Sequence, residues 1–483
     1  LPPPLALRGL GTPGDDGLGF LNRLRVSAGG TLPQTDAGDP SGTSLQVLGR
    51  DLYPLLLMGV GSIRPDFMDA SMSLSTGLFD HPSTAAFYEA VAEDPELAAL
   101  FPNGIGSPYE TVSYVWESTG RGGTVQLAML PATILQAAFA ISRMEGSRAD
   151  GFTAEIPRML DRIKAALRWE DATIPAYLGF NNITFVDGPI NTPAGSVRPY
   201  GTQAEGLVPP SSLPPTRGSD PRRIGFVLQT EVPFRVSIKA AEDDSEPPEM
   251  WTVAQDKLDE TRELIELSWS LGVRRDPPVS CALGWSLVAD PLSPGPAVRQ
   301  GPTTRPATEP FVGEDENLKE VVEWIELLAR RPRRELDIAK RRILSALTGR
   351  IDDTDAFVDA VISWENMVGA GSEIRFRVST LMAWLIRDDE AGRLELQRKI
   401  AKFYAVRSQV VHGGRHLEPK EARDLRREAV ALSVPCLRRL LVEFPDLAED
   451  KDRSIKLLAR LSSYGGDAPQ ADTAMTDDGP RPS

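Results

Sequence analysis

The spacing of apolar positions changes character about two-thirds of the way along the chain. Before residue 310 two periodicities alternate. Apolar residues three and four apart predict helices over 83–100, 125–144, 153–169 and 250–271. Alternating or β-rich runs predict strands over 177–185, 223–229, 234–239 and 280–288. Two stretches rich in Pro, Gly and Ser interrupt the pattern, and predict a long surface loop over 191–221 and a linker over 291–310. From Asn317 the texture is helical throughout, with amphipathic segments at 317–329, 335–347, 355–368, 373–386, 394–412 and 419–443. Thr354 is placed to cap the third of these, Gly369-Ala370-Gly371 to stop it, Ser372 to cap the fourth, and Gly413-Gly414 to end the fifth. The small, polar tail 466–483 predicts no packed structure. The expected fold is an α+β N-terminal region, 1–310, followed by an all-α helical bundle, 314–465.

Composition narrows the setting. A chain of 483 residues is long enough for two cores, and 41% hydrophobic with 25% charged residues is the balance of a soluble globular protein. The most apolar stretch, 125–141, is interrupted by Gln126, Pro131, Thr133 and Gln136, so it reads as a buried helix and no membrane association is expected. Leu1-Pro2-Pro3-Pro4 carries neither a basic segment nor an apolar run, so no secretory signal is expected. The two cysteines, Cys281 and Cys436, are far apart, which argues against a disulfide framework or a cysteine zinc site and suits a reducing cytoplasm. The three histidines, His81, His412 and His416, argue against a histidine-rich metal site, so neither metal nor cofactor is expected. Chemistry that needs one histidine per chain stays open.

The net charge of −15 at first argues against a nucleic-acid partner. The charge is unevenly spread. Residues 317–465 hold 28 Lys and Arg against 24 Asp and Glu, a net of +4, and the remainder carries −19. The acidity therefore lies outside the helical part.

The most informative tract is Tyr404-Ala405-Val406-Arg407-Ser408-Gln409-Val410-Val411-His412-Gly413-Gly414, which closes the fifth helix. Five residues along a helix rotate a side chain by roughly 140°, so Arg407 and His412 do not stack as an i,i+4 pair would. They converge only if the helix tightens or ends at the histidine, which the glycines permit. R-x4-H at the end of a long helix is the signature of the HEPN superfamily, and this tract resembles the Y-x-x-R-S-x-x-V-H-G form of its Apea-like branch. The resemblance extends upstream through Arg342-Ile343-Leu344, the helix from Ala356 to Glu365, and Glu373-Ile374-Arg375-Phe376-Arg377-Val378 with the apolar run after it. It covers about 150 residues. Trp364 and Asn366 depart from the leucines that commonly flank the glutamate.

The resemblance implies a bundle that forms a homodimer, two R-x4-H motifs facing one cleft, and metal-independent endoribonuclease activity in prokaryotic defence or stress response. It implies catalytic roles for Arg407 and His412, with Ser408, Glu365, Glu373 and Arg377 in support, and Arg398, Lys402 and Arg415 contacting RNA. The chemistry fits these residue types. Histidine is the side chain that titrates near neutral pH and can move the proton of an RNA 2′-hydroxyl or leaving 5′-oxygen. A permanently charged, planar guanidinium can hold a phosphate through two hydrogen bonds.

Plainer readings stand beside these. Glu365 could simply pair with an arginine, Glu373 could be a first-turn acid, Arg377 could bridge within the bundle, and Arg398, Lys399 and Lys402 could form a solvated face. His416 reads as a loop residue, and Trp251, Trp269, Trp285 and Trp324 read as core. The Gly9 to Gly14 match to a dinucleotide fingerprint lacks a preceding strand, and His81 lacks a nucleophile. Two rival functions follow: a non-catalytic HEPN module binding nucleotide, RNA or protein, or catalysis by the N-terminal region with the helical part as scaffold. Otherwise that region is expected to sense a ligand or protein and to regulate.

Overall fold

The computed structural model describes residues 38–59, 81–186, 188–200, 224–239, 247–294, 297–301, 309–330, 334–369 and 373–463, with single positions before residue 36. The candidate fingerprint at Gly9, the predicted caps Ala370, Gly371 and Ser372, and the tail 466–483 lie outside the described residues. The chain forms two compact units: Leu1–Val273 with Val279–Arg330, and Arg274–Pro278 with Arg331–Ser483.

The first unit mixes helices and strands, as the alternating periodicity predicts. Its helices are α1 (Pro40–Gly59), α2 (Pro82–Glu93), α3 (Leu130–Met144), α4 (Ala149–Leu167), α5 (Val253–Gly272) and α6 (Asp315–Arg330). The strands are β1 (Val112–Glu117), β2 (Arg121–Gln126), β3 (Thr173–Asn181), β4 (Ile183–Thr184), β5 (Ile190–Thr192), β6 (Gly195–Pro199), β7 (Ile224–Pro233), β8 (Val236–Lys239), β9 (Ala282–Val288), β10 (Ala297–Gln300) and β11 (Phe311–Val312). A six-stranded antiparallel sheet has the order β10-β9-β3-β7-β6-β5, beside a three-stranded sheet β2-β1-β8 and a parallel β4–β11 pair. The central strands β3 and β9 are apolar runs buried along almost their whole length, so both of their faces are covered.

Four expectations need correction here. The stretch expected as one loop over 191–221 begins as the β5–β6 hairpin, and the expected linker contributes edge strand β10. The helix expected from residue 125 starts at Leu130, because Arg121–Gln126 pairs with β1 instead. Helix α6, expected to open the bundle, packs in the first unit. Its Leu318, Val321 and Ile325 join that unit's core, and it approaches α5 closely at Gly272, where a Cβ would lie 2.9 Å from Val321 Cγ2. The helix reading of 125–144 was nevertheless right about burial. Leu127–Met144 is the one described segment long and apolar enough to cross a membrane, and 83% of it is buried inside the protein.

The second unit is helical throughout its described residues. It comprises α7 (Asp337–Leu344), which runs on into a π-turn at Ser345–Gly349, then α8 (Asp353–Val368), α9 (Ile374–Ile386), α10 (Glu390–Val411), α11 (Pro419–Val442) and α12 (Arg453–Ser463). The spans of α7 to α11 lie close to amphipathic segments read from sequence, whereas α12 has no counterpart among them. Asp352, rather than Thr354, caps α8: its carboxylate accepts the backbone N–H of Thr354 at 2.8 Å and of Asp355 at 3.0 Å. Gly369 ends α8 with a positive φ of 91°, as its placement predicted. Helices α8 and α11 form the centre of the unit. Trp364, one of the departures from the resembled pattern, is fully buried there, donates its indole N–H to Ser433 Oγ at 2.8 Å and meets the Phe403 ring edge-on. A tryptophan is tolerated because its polar atom has a partner. Arg426 is buried too, with three donors spent on Asp353 and on the Ala346 and Leu347 carbonyls of the π-turn.

Candidate functional site

Helix α10 is anchored by a narrow stripe. Only Leu396, Ile400 and Phe403 are buried along its 22 residues, leaving much of its circumference exposed. Asp389 starts it by accepting the Gly392 N–H at 2.6 Å. It ends in a Schellman motif: the Gly414 N–H reaches back to the Gln409 carbonyl at 2.8 Å, and the Gly413 N–H to Val410 at 3.1 Å. His412 is the capping residue, held by its own N–H on the Ser408 carbonyl at 3.1 Å, and it is exposed. Among the described residues its imidazole has no hydrogen-bond or ion-pair partner. The helix thus ends at the histidine, as the two glycines predicted, and presents it at the negative end of the helix dipole.

Arg407 lies five residues earlier, in a different environment. Its side chain is 20% exposed, and its Nη2 stands 3.8 Å from Glu365 Oε1 of α8. That separation is an ion pair but exceeds hydrogen-bond length. The same Glu365 oxygen accepts the hydroxyl of Tyr404 at 2.8 Å. Tyr404 is three residues before Arg407, and the guanidinium carbon lies 5.9 Å from its ring centre. Burial, then the hydrogen-bonded carboxylate, push the Tyr404 hydroxyl pKa up to about 12, so it stays a donor across the physiological range. Among the described residues, the buried Arg407 Nε has no acceptor. A guanidinium with a carboxylate nearby and unspent donors can receive an anion.

The other site residues read from the sequence divide into two groups. Ser408 is half-buried beside Arg407, and Arg398 and Lys402 are exposed on α10. Arg415 follows the motif and pairs with Glu421. Glu365 joins Arg407 directly. Glu373 and Arg377 are not drawn in. Glu373 is an exposed residue with φ 57° at the start of α9, where its carbonyl accepts the N–H groups of Phe376 and Arg377. Arg377 donates to Ser454 Oγ of α12 at 3.1 Å, a tie within the bundle. His416 is exposed, and Lys399 pairs with Glu428 at 2.8 Å. Tyr404 was the residue that sequence reasoning quoted without assigning a role. Its i,i+3 relation to Arg407 was the available signal.

In the first unit, His81 caps α2, with Nδ1 accepting the Ser83 N–H at 3.2 Å and Nε2 lying 3.4 Å from Asp51. Its role is structural. Glu117 and Asp290 form a sealed carboxyl pair bridged by Thr119 Oγ1 at 3.2 and 3.4 Å, with Arg121 on Glu117 at 2.7 Å. Burial, then the Asp290 carboxylate, hold the Glu117 carboxyl well above its usual range. The pair fastens the β1–β2 turn to the end of β9, out of reach of solvent. Among the described residues, no group of three or more His, Cys, Asp or Glu side chains is placed to hold a metal ion.

Compared with known protein families, characterised proteins and solved structures, the chain matches none.

Proposed function

We propose that the second unit is a metal-independent endoribonuclease of HEPN type, with Arg407 binding the scissile phosphate and His412 transferring protons. One observation carries this reading: a half-buried arginine with unspent donors and an exposed histidine, unpartnered among the described residues, share the last turns of one helix. In this scheme the Arg407 fork neutralises charge gathering on the phosphate. His412 removes the 2′-hydroxyl proton or protonates the leaving 5′-oxygen. Arg398, Lys402 and Arg415 attract the RNA backbone despite the acidity of the whole chain.

Within one protomer the helix stays regular through Val411, so the two side chains project roughly 140° apart. One histidine also cannot serve as both acid and base on opposite sides of a phosphate. A second copy, related by a two-fold axis beside α10, would supply the partner groups, and this is the commonest oligomer geometry. Exposed apolar residues on α9 and α10 support that arrangement: Phe376 is 56% exposed, and Leu394 and Val411 are each 50% exposed. The same divergence favours one competing reading, a non-catalytic module in which Arg407 binds RNA or nucleotide and His412 does no chemistry.

Incubating the full chain with total RNA in excess EDTA separates the two. Cleavage is expected with the wild type and is expected to vanish in His412→Ala and in Arg407→Lys. RNA that is bound but left intact by the wild type would establish the non-catalytic module.

A further inference from the structure

Glu365 is the negative charge paired with the candidate phosphate-binding arginine, and a carboxylate that paired fully with Arg407 would compete with RNA for the same donors. The geometry stops short of that. Oε1 of Glu365 takes the Tyr404 hydroxyl at 2.8 Å, and Nη2 of the 20% exposed Arg407 side chain remains 3.8 Å away. We infer that Tyr404 is a positioning residue that restrains Glu365 and so keeps the Arg407 fork available to an RNA phosphate. This inference rests on the reading of Arg407 as a phosphate-binding residue.

The physical argument is a competition for one acceptor. Carboxylates close on guanidinium groups at about 2.8 Å when nothing else satisfies them, often through two parallel hydrogen bonds. Here the phenol occupies one lone pair of the oxygen nearest the arginine and anchors it 3.8 Å from Nη2, and its hydroxyl remains protonated, so the restraint persists through the physiological pH range. The Tyr404 ring adds a weakly attractive face about 6 Å from the guanidinium carbon. Tyrosine and arginine are one helical turn apart on α10, whereas the glutamate comes from α8. The restraint therefore holds only while the two helices are packed, through Phe403 against Phe357 and Trp364.

The test removes one oxygen atom. Tyr404→Phe keeps the ring and its packing but deletes the donor, leaving Arg407 as the replacement donor for Glu365. A crystal structure of the full-length Tyr404→Phe protein should show the Glu365–Arg407 contact shortened to hydrogen-bond length. Binding is measured by fluorescence anisotropy with a labelled, single-stranded RNA of mixed sequence and about twenty nucleotides, in EDTA. The full chain carries His412→Ala so that the probe stays intact. Tyr404→Phe should weaken binding about tenfold, on the order of one charge-assisted hydrogen bond. Adding Glu365→Gln should restore it, because the amide no longer competes as an anion. An unchanged 3.8 Å contact, unchanged affinity, or a double variant as weak as the single one would each overturn the inference. If the parent protein binds no RNA, the proposed function fails, and the crystal structure still decides whether the phenol restrains the carboxylate.

Discussion

The Gly414 amide donates to the Gln409 carbonyl at 2.8 Å, across the residue that carries the only candidate catalytic imidazole. This bond exists because Gly413, between His412 and Gly414, adopts a φ of +72°. A Cβ at Gly413 would meet nothing within 4 Å, so substitution there is costly for backbone reasons alone. Gly413→Ala should destabilise the helix end by about 1 kcal/mol, with Gly413→Asn milder, because Asn tolerates the left-handed region. Thermal melts of the three proteins check the order. A larger fall in RNA cleavage than in stability would locate the effect at His412.

If the proposed chemistry holds, the products carry 2′,3′-cyclic phosphate ends, because the nucleophile is the neighbouring 2′-hydroxyl. A substrate with a single 2′-deoxy nucleotide at the cut position should survive intact. Phosphatase sensitivity and mass spectrometry of the products read this directly. Cutting at the deoxy position, or strict dependence on a divalent ion, would remove the mechanism.

Arg426 is a buried structural arginine of the second unit. It is 1% exposed and satisfies the Asp353 carboxylate together with two carbonyls released by the π-turn. Arg426→Met should cost roughly 3–5 kcal/mol, since it takes the hydrogen-bonded cation from a buried carboxylate, whose other oxygen keeps Arg423 at 3.7 Å, and leaves two carbonyls without this donor. Adding Asp353→Asn should recover part of that loss. Urea unfolding followed by tryptophan fluorescence measures both, and equal stability of wild type and single variant would contradict the network.

Glu266 on α5 supplies a pH prediction for the first unit. Burial raises its pKa to about 7, while its Oε1 accepts the Leu283 N–H at 3.1 Å. A raised folded-state value means the native state holds its proton more tightly than the unfolded chain. Its contribution is therefore complete below the unfolded value and is lost as pH rises towards 7, by about 1.4 kcal/mol per unit at most. Glu266→Gln should flatten the fall in stability between pH 5 and about 7 relative to wild type. Parallel urea titrations at these pH values check it, and identical slopes would refute it.

Much of this molecule could be read locally. Five helices of the second unit, α7 to α11, recur at 3.6-residue spacing, with Gly369 and Gly413 marking two of their ends, so periodicity and turn chemistry located them to within a few residues, whereas α12 was not read from the sequence. The Arg407–His412 spacing and the terminating glycines were legible for the same reason, since a helix end is decided by the few residues around it. The β1–β2 and β5–β6 hairpins were not. Their strands are short, and Arg121–Gln126 runs straight into the apolar segment of α3, so the helical pattern that follows hides a strand whose partner β1 lies just before it in sequence.

What tertiary structure alone decided was allegiance and company. The amphipathic stripe of α6 says that one face is buried, but not in which core, and Gly272 against Val321 places it in the first unit. Glu365 is separated from Tyr404 by 39 residues, and no spacing rule links them. Only the packing of α8 on α10 brings the carboxylate to the phenol and holds it 3.8 Å from Arg407. Sequence determined which residues could do chemistry at the end of α10. Folding determined which of their donors were left unspent, because hydrogen-bond partners are assigned by distance in space.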